Sequence, residues 1–242
     1  MRHPLVAAAL LLILVCVTAL FIGRYPMSPV RLVSAVLHPD QAEYTVERTV
    51  IFAVRMPRIL MALLIGASLA MAGTVLQGVF RNPLAAPNIL GISSGAGFGA
   101  ALMIVLFDGR APLLQLGAFC CGLSAVIVAA GIAARRRHGH ETTLILAGIA
   151  ISSLFTALLS LLKALADPDQ QLPAIVFWTL GGLHRATWPV LAVVTPIIVT
   201  PLMLIVLSRW KLNVLTMGDL EARSLGLHPR NARHVFIALA TL

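Results

Sequence analysis

Charge is what this sequence has least of. Of its 242 residues 11% are charged and 59% hydrophobic, and the mean hydropathy is +0.95. A soluble domain carries about 25% charged residues, because its surface faces water. A chain this poor in charge cannot clothe such a surface, and lipid must replace water over much of it. Lysine is scarcer still: Lys163 and Lys211 are the two present, and neither follows a glycine. The G-K-[ST] that cradles nucleotide phosphates is therefore missing, and the chain is not expected to hydrolyse ATP itself. Cysteine is limited to Cys16, Cys120 and Cys121, all inside apolar runs. Their spacing fits neither a zinc site nor a disulfide framework, so they read as small buried apolar side chains.

What is present in quantity is uninterrupted apolar sequence. A helix needs roughly 20 apolar residues to cross a bilayer. Charge-free runs of about that length occur at Pro4–Gly23, Ile59–Phe80, Asn82–Phe107, Ala111–Ala134, Thr142–Leu162 and Ala186–Ser208. They predict an all-α, polytopic transmembrane helix bundle of six spans. A further apolar run starts at Val235 and reaches Leu242, which reads as the start of a seventh span in a chain cut short. The first run lacks an A-x-A site and is too long for a signal peptide, so it is expected to stay as a membrane helix. The whole chain, 1–242, reads as one membrane domain.

Acidic residues are absent from all six runs. Ion-coupled carriers generally need intramembrane ionisable groups, so a secondary transporter is disfavoured; a membrane scaffold is the other rival class. The formal net charge of +9 comes from basic residues gathered at span ends, a membrane-orienting pattern and not a nucleic-acid footprint. The Arg135–Arg137 triplet places the N-terminus in the cytoplasm by the positive-inside rule. Trp178 and Trp188 bracket a Pro- and Gly-bearing segment, 167–188, read as a loop with one short helix. Gly91-Ile92-Ser93-Ser94-Gly95 matches the G-x-S-x-G nucleophile elbow, but it opens an apolar helix where that elbow needs a strand. Gly91, Ser93, Ser94 and Gly95 read better as small residues for close helix packing.

Three segments carry a resemblance. Arg55-Met56-Pro57-Arg58 leads into Gly66–Gln77; Arg81-Asn82-Pro83-Leu84-Ala85-Ala86-Pro87-Asn88-Ile89-Leu90-Gly91 precedes the Ser/Gly run; and Gly218-Asp219-Leu220-Glu221-Ala222-Arg223-Ser224-Leu225-Gly226-Leu227 follows the sixth apolar run. Together they resemble the FecCD-type permeases, the membrane subunits of type II ATP-binding-cassette importers for ferric siderophores, haem or cobalamin. The resemblance implies ten spans in a complete subunit and a homodimer with a second permease copy. It also implies a cytoplasmic ABC ATPase dimer and an extracytoplasmic substrate-binding protein. ATP and Mg would sit on the ATPase and no cofactor on this chain. Segment 167–182 is also similar to permeases assigned to cobalamin or molybdate.

For single residues the resemblance implies three roles. Arg55 and Arg58, spaced i, i+3, would dock acids of the binding protein, arginine's fork being suited to carboxylates; snorkelling headgroup anchors are the alternative. Residues 218–227 would form a short helix seated on the ATPase, with Asp219 and Glu221 at its positive end, Gly226 as its C-cap and Pro229 as the stop. Gln77, Asn82, Pro83 and Asn88, with the Gly91–Gly95 run, would border the pathway or its gate, or else bond across helices.

Overall fold

The computed structural model describes residues 2–38, 41–83, 85–134 and 140–241. Their regular elements are all helical. In chain order they are α1 (Arg2–Phe21), α2 (Pro29–Leu37), α3 (Thr45–Arg48), α4 (Met56–Phe80), α5 (Ile92–Phe107), α6 (Ala111–Ala134), α7 (His140–Leu165), α8 (Gln171–Leu180), α9 (Trp188–Leu207), α10 (Arg209–Met217), α11 (Asp219–Ser224) and α12 (Pro229–Thr241). The triplet Arg135–Arg137, on which the expected orientation rests, lies outside the described residues. The chain divides into two compact units, Met1–Ala67 with Leu183–Val199, and Ser68–Gly182 with Thr200–Leu242; the divisions fall inside α4 and α9.

Five stretches are long and apolar enough to cross a membrane: Pro4–Phe21, Thr45–Phe80, Pro112–Ala133, Thr142–Leu165 and Trp188–Leu207. Two corrections to the sequence reading follow. The expected third span, Asn82–Phe107, is helical as α-helix only from Ile92, in the 16 residues of α5. Pro83 and Pro87 lack amide protons and push the residues before them away from the helical region, so 81–91 becomes a turn followed by a 3-10 helix, Pro87–Leu90. The second span begins earlier than Ile59, because a π-helical segment, Thr49–Arg55, joins α3 to α4 in one 36-residue rod. That rod carries Glu47, which the narrower boundary had excluded. Glu47 is 2% exposed and accepts from Arg31 at 3.0 Å and the Tyr25 hydroxyl at 3.2 Å. A paired carboxylate is not the free ionisable group that an ion carrier requires.

In the first unit, Met27 of the 22–28 connection packs with Ala35 of α2 and Ile51 of the π segment. Met61 of α4 packs against Ala186 and Leu191. None of Pro4–Phe21 is buried, as expected of a helix whose apolar surface faces lipid. The π segment leaves carbonyls displaced from the ordinary helical ladder, and the Trp188 indole N–H donates to one of them, Phe52, at 2.7 Å.

In the second unit, α5, α6 and α7 pack against one another. Gly95 lies against the Cys121 carbonyl and Gly99 against that of Gly117, an antiparallel crossing of α5 and α6 in which a Cβ at Gly99 would collide with the Gly117 oxygen. Small residues drive such crossings because lipid supplies no hydrophobic force between helices. A larger core joins Leu76, Val79 and Phe80 of α4 to Val126, Leu144, Leu212, Leu215 and Phe236. Gly99→Val should lower the unfolding free energy of the detergent-extracted protein by about 1–3 kcal/mol, the usual cost of overpacking. An unchanged thermal midpoint would contradict the crossing.

Candidate functional site

The polar end of the second unit is built on three short helices. α10 buries Leu212, Val214 and Leu215 and so covers the core with an amphipathic helix. After it, α11 occupies Asp219–Ser224, as the acid-rich start and Gly226 foretold. Its end is a Schellman motif: Gly226 N–H donates to Arg223 O at 3.0 Å and Leu227 N–H to Ala222 O at 2.9 Å. The motif needs a left-handed residue at the position held by Gly226, whose φ is 75°, and glycine adopts it without a Cβ clash. Pro229 both stops this segment and opens α12, so the helix containing the seventh apolar run starts six residues before Val235.

Asp219 is the junction. Its carboxylate accepts from Arg81, just past the end of α4, and from Arg233 of α12. These bonds hold its carboxyl below the usual carboxylate range, the Arg233 hydrogen bond foremost and the charge of both arginines adding to it. Arg81 and Arg233 were not singled out for this role; a sequence shows their charge but not that two distant arginines meet one acid. Ala222 of α11 is fully buried. Leu220 of α11, Leu225 at its C-cap and Met217 at the end of α10 are 79%, 56% and 65% exposed.

A second feature is a groove of about 530 Å³ along α7, lined by Asn88, Ser152, Ser153, Thr156 and Ser160 among others, none of them charged. The hydroxyls recur every four residues and share one helical face, a signal present in the sequence and not used. Ser153, Thr156 and Ser160 donate to the carbonyls of Ile149, Ser152 and Thr156, so they turn acceptor lone pairs outward. The 3-10 turn reaches the groove because Gly148 lets Ile89 lie against α7, where a Cβ would strike the Ile89 carbonyl oxygen. Ser94 closes the junction, its hydroxyl 3.0 Å from Gly91 O and 3.1 Å from the Ser152 hydroxyl.

The expected pathway residues thus separate. Asn88 lines the groove and Ser94 adjoins it through Ser152. Asn82 and Pro83 stay in the turn, where Asn82 N–H donates to Gln77 O at 3.2 Å. Gln77 and Ser93 are exposed, and Gly95 is buried against α6. Among the described residues no three His, Cys, Asp or Glu side chains gather in a way that could hold a metal ion.

In the first unit, Arg55 and Arg58 part company. Arg55 is 8% exposed, and its guanidinium donates to the carbonyls of Leu20 and Tyr25 at the end of α1. Arg58 is exposed. Buried and turned to those carbonyls, Arg55 is held away from an outside partner, and of the two arginines Arg58 is the exposed one.

Comparison with known proteins gives this geometry a context. The FecCD transport family matches residues 10–242. The chain belongs to that family. Among FecCD relatives, the molybdate import system permease protein MolB of Haemophilus influenzae is 37% identical over 235 residues, 96% of this chain and 69% of its own length. The hemin transport system permease protein HmuU of Yersinia pestis is 40% identical over 194 residues, 78% of this chain and 58% of its own. A solved structure described as an inward-facing conformation of a metal-chelate type ABC transporter superposes with a TM-score of 0.85 at 34% identity, covering all of this chain and 74% of that one. The chain thus spans 58% to 69% of those two curated FecCD relatives.

Asp219→Asn should cost about 1 kcal/mol of stability, a modest figure because the carboxylate is 45% exposed and screened. The pH dependence has a definite sign. A folded-state pKa below the unfolded one contributes stability that is present above the ordinary carboxylate range and lost as pH falls through the folded value. Thermal midpoints of wild type and Asp219→Asn should therefore converge as pH drops below about 4. A gap that persists there would remove Asp219 from the junction.

Proposed function

We propose that this chain is the membrane-spanning permease subunit of an ATP-driven importer and works by alternating access. The observation that carries the reading is the pinned helix, Asp219–Ser224, with Leu220 and the adjoining Leu225 exposed on it. A helix tied through Asp219 to the end of α4 and to α12 transmits a push on its outer side to both at once. Rigid-body movement of packed helices is the general form of such transmission. The push comes from a dimer of ABC ATPase subunits that bind ATP and Mg, so the face bearing residues 218–227 is cytoplasmic and the N-terminus is cytoplasmic with it. A second permease copy completes the pathway as a homodimer, and an extracytoplasmic binding protein delivers substrate at Arg58. The hydroxyl groove with Asn88 is the segment of pathway this chain provides.

A neutral wall of hydroxyl oxygens and one amide suits a solute whose charge is internally satisfied. It offers hydrogen bonds without a counter-ion that would trap the cargo, and conduction requires sites weak enough to leave. A ferric siderophore or a related chelate such as haem or cobalamin fits that description and is the substrate class proposed. The molybdate relative favours a second reading, the same machinery carrying a small oxyanion. Uptake of labelled ferric siderophore and labelled molybdate, each with its binding protein, separates the two.

Gly226→Val places a β-branched residue in the left-handed region at a cost of about 1–2 kcal/mol. It should leave basal ATP hydrolysis by the assembled complex intact while substrate uptake falls about tenfold, as should Leu225→Asp. Normal uptake in both variants counts decisively against coupling through this segment. Arg58→Glu should weaken binding-protein affinity about tenfold with membrane insertion unchanged; wild-type affinity would leave Arg58 as a headgroup anchor.

A further inference from the structure

Where α9 ends, the second unit has a cavity bordered by the end of the 218–227 segment, whose remaining lining the importer reading does not use. It measures about 320 Å³ and lies between α10, the Gly226–His228 turn and α12. Its lining is mixed: polar at Ser208, Lys211, His228 and Asn231, and apolar at Val235 and Phe236 among others. Among the described residues none of those four polar side chains hydrogen-bonds to or ion-pairs with another. No acid lines the cavity, and Asp219 of α11 is committed to Arg81 and Arg233. Lys211, His228 and Asn231 are exposed at its mouth, and among the described residues no acid pairs with Lys211, so its charge is open to an external anion.

Depth decides what can reach it. The apolar span Trp188–Leu207 stops one residue before Ser208, so the cavity mouth sits where hydrocarbon gives way to headgroups. Trp210, 50% exposed on α10, is the residue type that favours that level. Arg209 and Arg230 flank the site in sequence and are exposed. A ligand that fits must carry negative charge at one end and an apolar body at the other.

We infer that this cavity holds the phosphate of an anionic phospholipid, with Lys211 as the principal cation, His228, Asn231 and Ser208 as hydrogen-bonding neighbours, and an acyl chain against Val235 and Phe236. Basic pockets between membrane helices recognise lipid headgroups through this combination of charge and depth. The bound lipid would brace α10 against α12 on either side of residues 218–227. A free phosphate shares the headgroup chemistry but not the acyl contact.

The test is native mass spectrometry of the intact protein, extracted in detergent and offered phosphatidylglycerol and phosphatidylcholine in equal amounts. Phosphatidylglycerol should be retained over phosphatidylcholine. Lys211→Gln should lower that retention about fivefold, the loss of one cation near an anionic surface. Lys211→Arg should restore it, Lys163→Gln should leave it unchanged, and His228→Gln should reduce it more weakly. Glycerol phosphate at the lipid's concentration should not compete. Equal retention of the two lipids, or full retention by a monodisperse Lys211→Gln, overturns the proposal. So does displacement by glycerol phosphate, which would assign the cavity to a soluble phosphate. Loss of the lipid on adding the ATPase subunits would also overturn it, assigning the cavity to a protein contact.

Discussion

Hydrocarbon offers a peptide group no hydrogen-bond partner, so a chain inside it must satisfy its own N–H and C=O groups. At three places among the described residues where the chain leaves the α-helical ladder beside a span, a side chain or a turn supplies the substitute. The π segment has the Trp188 indole on Phe52 O, and the frayed end of α1 has the Arg55 guanidinium on Leu20 and Tyr25. Between α4 and α5 the substitute is backbone: Asn82 to Gln77, Ala85 to Asn82, Gly91 to Asn88. That last segment also needs a surface to lie on, and Gly148 of α7 provides it by having no side chain.

Seating the 3-10 turn on α7 has a functional consequence. It carries Asn88 to a helix face bearing Ser152, Ser153, Thr156 and Ser160, and a groove results where two uniformly apolar helices would have sealed. The hydroxyls of Ser153, Thr156 and Ser160 are exposed and bond back along α7, so each has a partner where lipid and not water surrounds the helix. The groove is polar without being charged. Under the importer reading this is the property that lets cargo pass without being held.

Asp219 performs the corresponding task at the polar end. One carboxylate gathers α4, α11 and α12 through two arginines, far apart in sequence. Each ion pair alone is worth little at a partly exposed site. Their value is geometric, because a six-residue helix has too few internal hydrogen bonds to hold an orientation by itself.

Much of this was legible in the residues before any coordinates. The near absence of charge from runs of about 20 residues dictates membrane helices, since burial in lipid depends on composition alone. The acids at 219 and 221, Gly226 and Pro229 dictate α11, since caps and stops are local chemistry. The ordered motifs from Arg55 to Leu227 point to the FecCD family, to which the chain belongs. What tertiary structure decided is everything that depends on which distant residues meet. Arg55 turns inward while Arg58 stays out, although both sit in one motif, because the end of α1 happens to lie against the former. Asn82–Phe107 is apolar enough for a span, yet its first ten residues fold as turn and 3-10 helix onto α7. A linear pattern records how apolar a residue is and what it prefers locally; it does not record the neighbour that claims its hydrogen bonds.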